Sequence, residues 1–207
     1  MNKILKVITT LLVITSCTTN YRFYDDRDLR VKIANIALSY VGKTKIMYNG
    51  KYYDFDCSGF VKFVLLSAGI DIDSKVNFFS FSKTVDYYNI FRSSGKLFKE
   101  GIVKPGDLVF FDNTYDRNGN KLFDDKLTHV GIVVGIDEST KSIFFVDKSR
   151  GNKVSLKSLN LAKRDVHKIL VDGVSYEINS YVRDDNLGKF LASSVFAGFG
   201  DISVLFE

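Results

Sequence analysis

The run DFDCSGFVKFVLLSAGI, residues 54–70, decides how this chain is read. Asp56 stands where a helix N-cap belongs and Gly69 where a helix stops, so Cys57 to Ala68 is expected to be helical. Phe60, Val61, Val64, Leu65 and Ala68 recur at the spacing of one buried face. Cys57 then falls in the first turn. There the unsatisfied N–H groups and the helix dipole favour a thiolate over a thiol. The chain has 207 residues and two cysteines, Cys17 and Cys57, so a cysteine at such a position asks for a chemical reason.

Upstream, Asp28 resembles an N-cap. Leu29, Ile33, Ile36, Ala37, Tyr40 and Val41 follow at helical spacing, and Gly42 closes the run. KTKIMYNGKYYDFD reads as loop, with Asn49-Gly50 as its turn. Downstream, SFSKTVDYYNIFRSSG predicts a third helix around residues 80–93. From residue 107 the texture changes. DLVFF, THVGIVVGI and SIFFVD are short runs of Val, Ile and Phe between turn signals, as strands are. VSLKSLN and EINSYVR predict two more. Helices first and strands after imply an α+β domain with an antiparallel sheet rather than an alternating α/β fold. The apolar, small-residue tail GKFLASSVFAGFGDIS is expected to pack back on the domain.

A composition 45% hydrophobic and 14% aromatic suits one domain with a sizeable core. A single proline and fifteen glycines leave no Pro-rich linker. The net charge is +5, and lower still without Lys3 and Lys6. The charges alternate in sign and form no basic stripe, which argues against a nucleic-acid partner. A pI near 9.0 suits a neighbour such as an anionic polymer or a membrane surface.

The N-terminus, MNKILKVITTLLVITSC, has the charged, apolar, small-residue order of a secretory signal, and its apolar run is too short for an ordinary membrane span. Ile14-Thr15-Ser16-Cys17 resembles a bacterial lipobox, which implies cleavage before Cys17 and a lipid on its thiol. An uncleaved anchor or a plain secretory signal are the alternatives. Lipidation would leave Cys57 unpaired; otherwise a Cys17–Cys57 disulfide is open to the chain. The organisation expected is a signal peptide at 1–16, a lipidated tether at 17–27, the domain at 28–183 and a C-terminal extension at 184–207.

A thiolate nucleophile needs a base, and usually a group that orients the base. The chain has two histidines. His129 opens the apolar strand THVGIVV, where a rigid strand end can present its ring to a cleft. His167, in RDVHKIL, has no such setting and is read as non-functional. DNTYDRNGNKLFDD gathers Asp112, Asp116, Asn118, Asn120, Asp124 and Asp125. Asp116, Asn118 and Asn120 have the spacing that starts a calcium loop, without its glycine at the sixth position or its glutamate at the twelfth. A solvated hairpin is the plainer alternative.

Three blocks in order, DFDCSGFVKFVLLSAGI, KPGDLVFFDN and LTHVGIVVGI, resemble the NlpC-type family of bacterial cell-wall cysteine peptidases. The resemblance covers roughly residues 28–183. It implies a papain-like core, with N-terminal helices packed on a central antiparallel sheet. It implies Cys57 as nucleophile, His129 as general base, and a third polar residue on the next strand. That strand offers Asp147, where His, Asn or Gln is commoner in the family; Lys148 or a backbone carbonyl are alternatives. Tyr48 matches a tyrosine that lines the active site, although the loop around it lacks the family's usual Trp-Gly-Gly. Asp56 and Ser58 are implied at the helix start, beside N–H groups suited to an oxyanion. The implied reaction cuts peptidoglycan stem peptides between D-glutamate and the diamino acid, without a cofactor, in an exported protein held to the envelope through Cys17. Two alternatives keep the same core: an amidase or acyltransferase acting on another envelope or host molecule, and a non-catalytic wall-binding module. The stretch Asp71–Phe98 departs most from the family and is expected to line the cleft.

Overall fold

The computed structural model describes residues 26–76 and 80–206. The expected signal peptide and lipobox-like stretch, with Cys17, lie outside them. Among the described residues there are three α-helices, α1 (Asp26–Ser39), α2 (Cys57–Ala68) and α3 (Lys83–Ser93). Between the first two lies a hairpin of β1 (Ile46–Tyr48) and β2 (Lys51–Tyr53). After α3 come β3 (Leu97–Phe98), β4 (Leu108–Phe111), β5 (His129–Asp137), β6 (Ser142–Asp147) and β7 (Ser155–Leu159). Two further hairpins follow, β8 (Lys168–Val171) with β9 (Val174–Glu177), and β10 (Tyr181–Asp185) with β11 (Gly188–Leu191). The last strand is β12 (Phe196–Gly200). A six-stranded sheet runs in the order β3-β12-β4-β5-β6-β7, with every pairing antiparallel. The fold is α+β, as the residue pattern predicts.

The sheet is covered on both faces, which explains why β4 reads as an unbroken apolar run. Leu108 and Phe110 face the helices, and Val109 and Phe111 face the opposite side. The helix-side core joins Val61, Val64 and Leu65 of α2 to Val130, Ile132 and Val146 of the sheet. The far-side core gathers Phe111, Val133, Phe145 and Leu159 with Ala192 and Val195. Both α1 and α2 lie against β5. At Gly131 a Cβ would meet the Phe145 ring at 2.9 Å and the Val146 carbonyl oxygen at 3.1 Å. Glycine there lets β5 and β6 close next to the site.

α2 spans the residues expected of it. Asp56 caps it by accepting from Gly59 N at 2.8 Å, and Gly69 ends it in a left-handed conformation. Elsewhere the structure departs from the pattern for physical reasons. α1 begins two residues before Asp28 and buries Arg30 and Ala34 beside Ile33 and Ala37, leaving Val41 exposed. Arg30 can be buried because Asp26, Asp107 and Asp201 surround its guanidinium. The supposed loop at Asn49-Gly50 is a hairpin, both turn residues having positive φ as a type I′ turn demands. α3 begins at Lys83, because Ser80 N donates to Asp86 Oδ1 and Ser80 Oγ to Ser82 O in a turn ahead of it. EINSYVR does not form one strand. Its Asn179 is fully buried and bonds Asn160 N, Lys163 O and Val166 O, breaking the run between β9 and β10.

The tail does more than pack on the domain. β12 inserts between β3 and β4 as an internal strand. Its small residues are required there, since a Cβ on Gly200 would sit 2.5 Å from the Phe91 ring of α3. The Arg30 cluster ties α1 to the turn before β4 and to Asp201 just after β12. Arg30→Met strands the buried Asp107 carboxylate and is expected to cost about 3–5 kcal/mol, read from urea unfolding. A loss under about 1 kcal/mol would show that the cluster does not hold these elements together.

Candidate active site

α2 aims its N-terminus at the start of β5, and this brings Cys57 to His129. The thiol of Cys57 is free and half-buried. Thr84 Oγ1 of α3 lies 3.8 Å from its sulfur. His129 and Asp147 are both buried, and His129 Nε2 lies 2.8 Å from Asp147 Oδ2. An ionised carboxylate only accepts, so Nε2 carries the hydrogen and Nδ1 is the nitrogen left to serve Cys57. Asp147 is therefore the side chain bonded to the ring nitrogen away from Cys57.

Strand alternation decides between Asp147 and its neighbour. His129 pairs with Phe111, and Lys157 with Phe145, so both share the far face with those rings. Asp147 follows Val146, which faces the helices, and so joins His129 and Lys157. Lys148 points the other way. Fully buried, it donates to Asp54 Oδ1 at 2.6 Å and to Ser149 O at 3.0 Å. The first aspartate of DFDCSGF thus anchors the motif to the end of β6, while the second caps α2.

Lys157 was not apparent as a site residue from the sequence. Its Nζ donates to Asp147 Oδ2 at 2.8 Å, the same oxygen that takes the His129 ring. The signal was present in VSLKSLN, where Lys157 falls in phase with the buried Leu159. Ser58 donates to Asp56 Oδ1 at 3.0 Å, and both line the cleft. Tyr48 does not line it. Its ring packs edge-on against Phe63 and Tyr53, held at the end of β1 just before the hairpin turn.

The cleft over Cys57 and His129 holds about 770 Å³. Phe81 to Thr84 form one wall, within the stretch expected to line it. Thr114, Tyr115 and Arg117 form another, and Ser149, Arg150 and Asn152 a third. Arg117 lies over the Phe81 ring at 5.4 Å and donates to Leu127 O at 2.7 Å. The acidic loop behind that wall spends its oxygens on itself. Asp116 accepts from Gly119 N and Lys121 N, Asn118 from Asn120 N, Asn120 from Leu122 N, and Asp124 from the side-chain amide of Asn120. Among the described residues, no group of three or more His, Cys, Asp or Glu side chains is arranged to hold a metal ion.

The electrostatics favour a charged pair. Burial pushes the Cys57 thiol up, but the His129 charge, a hydrogen bond with that ring and the Val130 N–H bring it below its ordinary value. Burial pulls the His129 imidazole down, and the Cys57 thiolate and Asp147 more than offset this, raising it to about 9. Burial pushes Asp147 up, and Lys157 and His129 hold it below the usual carboxylate range. The arrangement suits a thiolate–imidazolium pair.

The NlpC/P60 family model matches residues 39–170, and the chain belongs to that family, one of cell-wall peptidases. Its structure is α+β, with helices on a central antiparallel sheet, as expected. Among solved structures, a Staphylococcus aureus protein described as similar to a lipoprotein, NLP/P60 family, aligns at 22% identity with a TM-score of 0.37. That alignment covers 64% of this chain and 37% of the other. No curated protein matches closely enough to count as a relative. Among the described residues, no helix is long and apolar enough to cross a membrane.

Iodoacetamide is expected to alkylate Cys57 at about pH 6, where an ordinary thiol of pKa ~8.5 is nearly inert. His129→Ala should slow that reaction about tenfold or more, followed by mass spectrometry. Equal rates in the two proteins would mean that the ring does not govern the thiol.

Proposed function

We propose that this NlpC/P60 protein is a cysteine endopeptidase that hydrolyses peptidoglycan stem peptides at the bond between D-glutamate and the diamino acid. The observation that carries the reading is Cys57 and His129 side by side in one cleft, with the buried Asp147 bonded to the His129 ring behind them. His129 Nδ1 takes the Cys57 proton. The thiolate attacks the scissile carbonyl, and the oxyanion forms beside the N–H groups that open α2, near Ser58. The imidazolium gives its proton to the leaving amine as the C–N bond breaks, leaving a thioester on Cys57. Water, deprotonated by His129, attacks the thioester. The acyl group leaves as a carboxylic acid, and the thiol is restored. The bond between Asp147 and His129 favours this over a module that only binds the wall.

In this reading residues 1–16 are a leader and Cys17 carries a lipid that holds the enzyme at the envelope, with 17–27 as tether. The lipobox-like Ile14-Thr15-Ser16-Cys17 supports it, joined to two-signal anchoring by acylation.

The test is digestion of purified peptidoglycan by the chain from residue 18 onward, beside Cys57→Ala, with mass spectrometry of the products. Stem fragments cut after D-glutamate should appear with the wild type alone. Fragments cut at another bond would overturn the substrate assignment, and equal release by Cys57→Ala would overturn the nucleophile.

The sign of the pH dependence follows from the pair. Activity rises as Cys57 ionises below the ordinary thiol range and falls as His129 loses its proton at about 9. Initial rates across that range should trace a bell whose alkaline limb lies near 9. A rate still rising through that limb would contradict His129 as the proton donor.

A further inference from the structure

We propose that Lys157 is a positioning residue for the Cys57–His129 pair: its ammonium shares Oδ2 of Asp147 with the imidazole, keeps that carboxylate ionised and in place, and lowers the pH range over which the pair works. The inference rests on the reading of Cys57 and His129 as nucleophile and base.

The need for such a residue follows from burial. The Asp147 side chain is 2% exposed. Before Cys57 gives up its proton, His129 is neutral, and a buried carboxylate facing only a neutral ring favours its protonated form. A protonated Asp147 would donate to Nε2 instead of accepting from it. The ring would then carry its hydrogen on Nδ1, facing Cys57, and could not take the thiol proton. A permanent positive charge on the same oxygen prevents this. Lys157 supplies it at 2.8 Å, from a side chain 21% exposed. The sheet explains how it reaches. Ser155 is the register partner of Asp147, and Lys157 is the next residue on the same face of β7, a diagonal neighbour that a long side chain can span.

The other charged groups around the pair are accounted for. α2 and its cap bring Cys57 and Asp56, α3 brings Lys83, and the two loops bring Arg117 and Arg150 to the cleft. Asp56 meets Arg150 only at 4.0 Å, Lys83 pairs with Asp73, and Lys148 lies on the opposite face against Asp54. Among the described residues, Lys157 is the cation bonded to Asp147. It is also the largest influence that lowers the pKa of that carboxylate.

Removing a positive charge raises the pKa of every group near it. Lys157→Gln should therefore move both inflections of the Cys57 alkylation profile upward, that of the thiol and that of the imidazolium. The probe is iodoacetamide, with rates taken from about pH 4 to 10 and a shift of about half a unit or more expected. Lys157→Arg keeps the charge and should restore the wild-type profile. A folded Lys157→Gln protein with unmoved inflections would make the contact merely structural and overturn the proposal, as would a Lys157→Arg profile that follows Lys157→Gln. Lys157→Met, which keeps the apolar stem, serves in the same way if the glutamine variant does not fold. Alkylation uses no substrate, so this result stands apart from the peptidoglycan assignment. A wild-type Cys57 unreactive below the ordinary thiol range would instead remove the charged pair itself.

Discussion

One carboxylate oxygen, Oδ2 of Asp147, takes both the His129 imidazole and the Lys157 ammonium, each at 2.8 Å. An ionised carboxylate this deeply buried is costly unless it is paired. Here the pairing fixes the tautomer of the ring and leaves Nδ1 for the sulfur. The thiol is drawn to its ionised form from the other side, by the imidazolium and by its place at the helix N-terminus. Each group stabilises the charge on the next, and removing Lys157 would leave the buried Asp147 carboxylate with the imidazole alone.

The architecture exists to hold that line steady. α2 lies on β5, so the end of one element faces the start of the other. Asp56 fixes the helix start, and Asp54 ties the motif to Lys148 at the end of β6. The antiparallel register of β5, β6 and β7 sets His129, Asp147 and Lys157 on one face, with Gly131 allowing β5 and β6 to approach. Arg30 ties α1 to the turn before β4, and β12 locks the tail between β3 and β4. The mouth of the cleft is built differently. It is made of the stretch before α3 and the long loop before β5, braced by Arg117 over Phe81.

What the sequence made legible is local or periodic. α2 could be bounded because its cap and its stop are adjacent in the chain. The strands of the sheet could be located because Val, Ile and Phe cluster between turns. Cys57 and His129 could be named because each opens an element, while Asp147 was implied by the family resemblance alone. Other features depend on distant partners. Arg30 is polar at a position that periodicity cannot assign to the core, and its burial is explained by Asp26 one turn away together with Asp107 and Asp201 far along the chain. Lys157 and Lys148 are both lysines in strand-like surroundings, and only the register separates their roles. Tyr48 was placed by resemblance, but the hairpin turn at Asn49-Gly50 carries its ring to Phe63 instead. β12 reads as a small-residue tail because its glycines answer to Phe91 on another element.

The central claim is that Cys57 forms a covalent acyl intermediate with a stem peptide. The most direct measurement is to mix the protein with a synthetic peptide that carries D-glutamate linked to a diamino acid, quench in acid, and map the modified residue by mass spectrometry. A gain equal to the acyl fragment on the peptide that contains Cys57, absent from Cys57→Ala, is the predicted result. Cleavage with no adduct on Cys57 under fast quenching, or with the adduct on another residue, would contradict it.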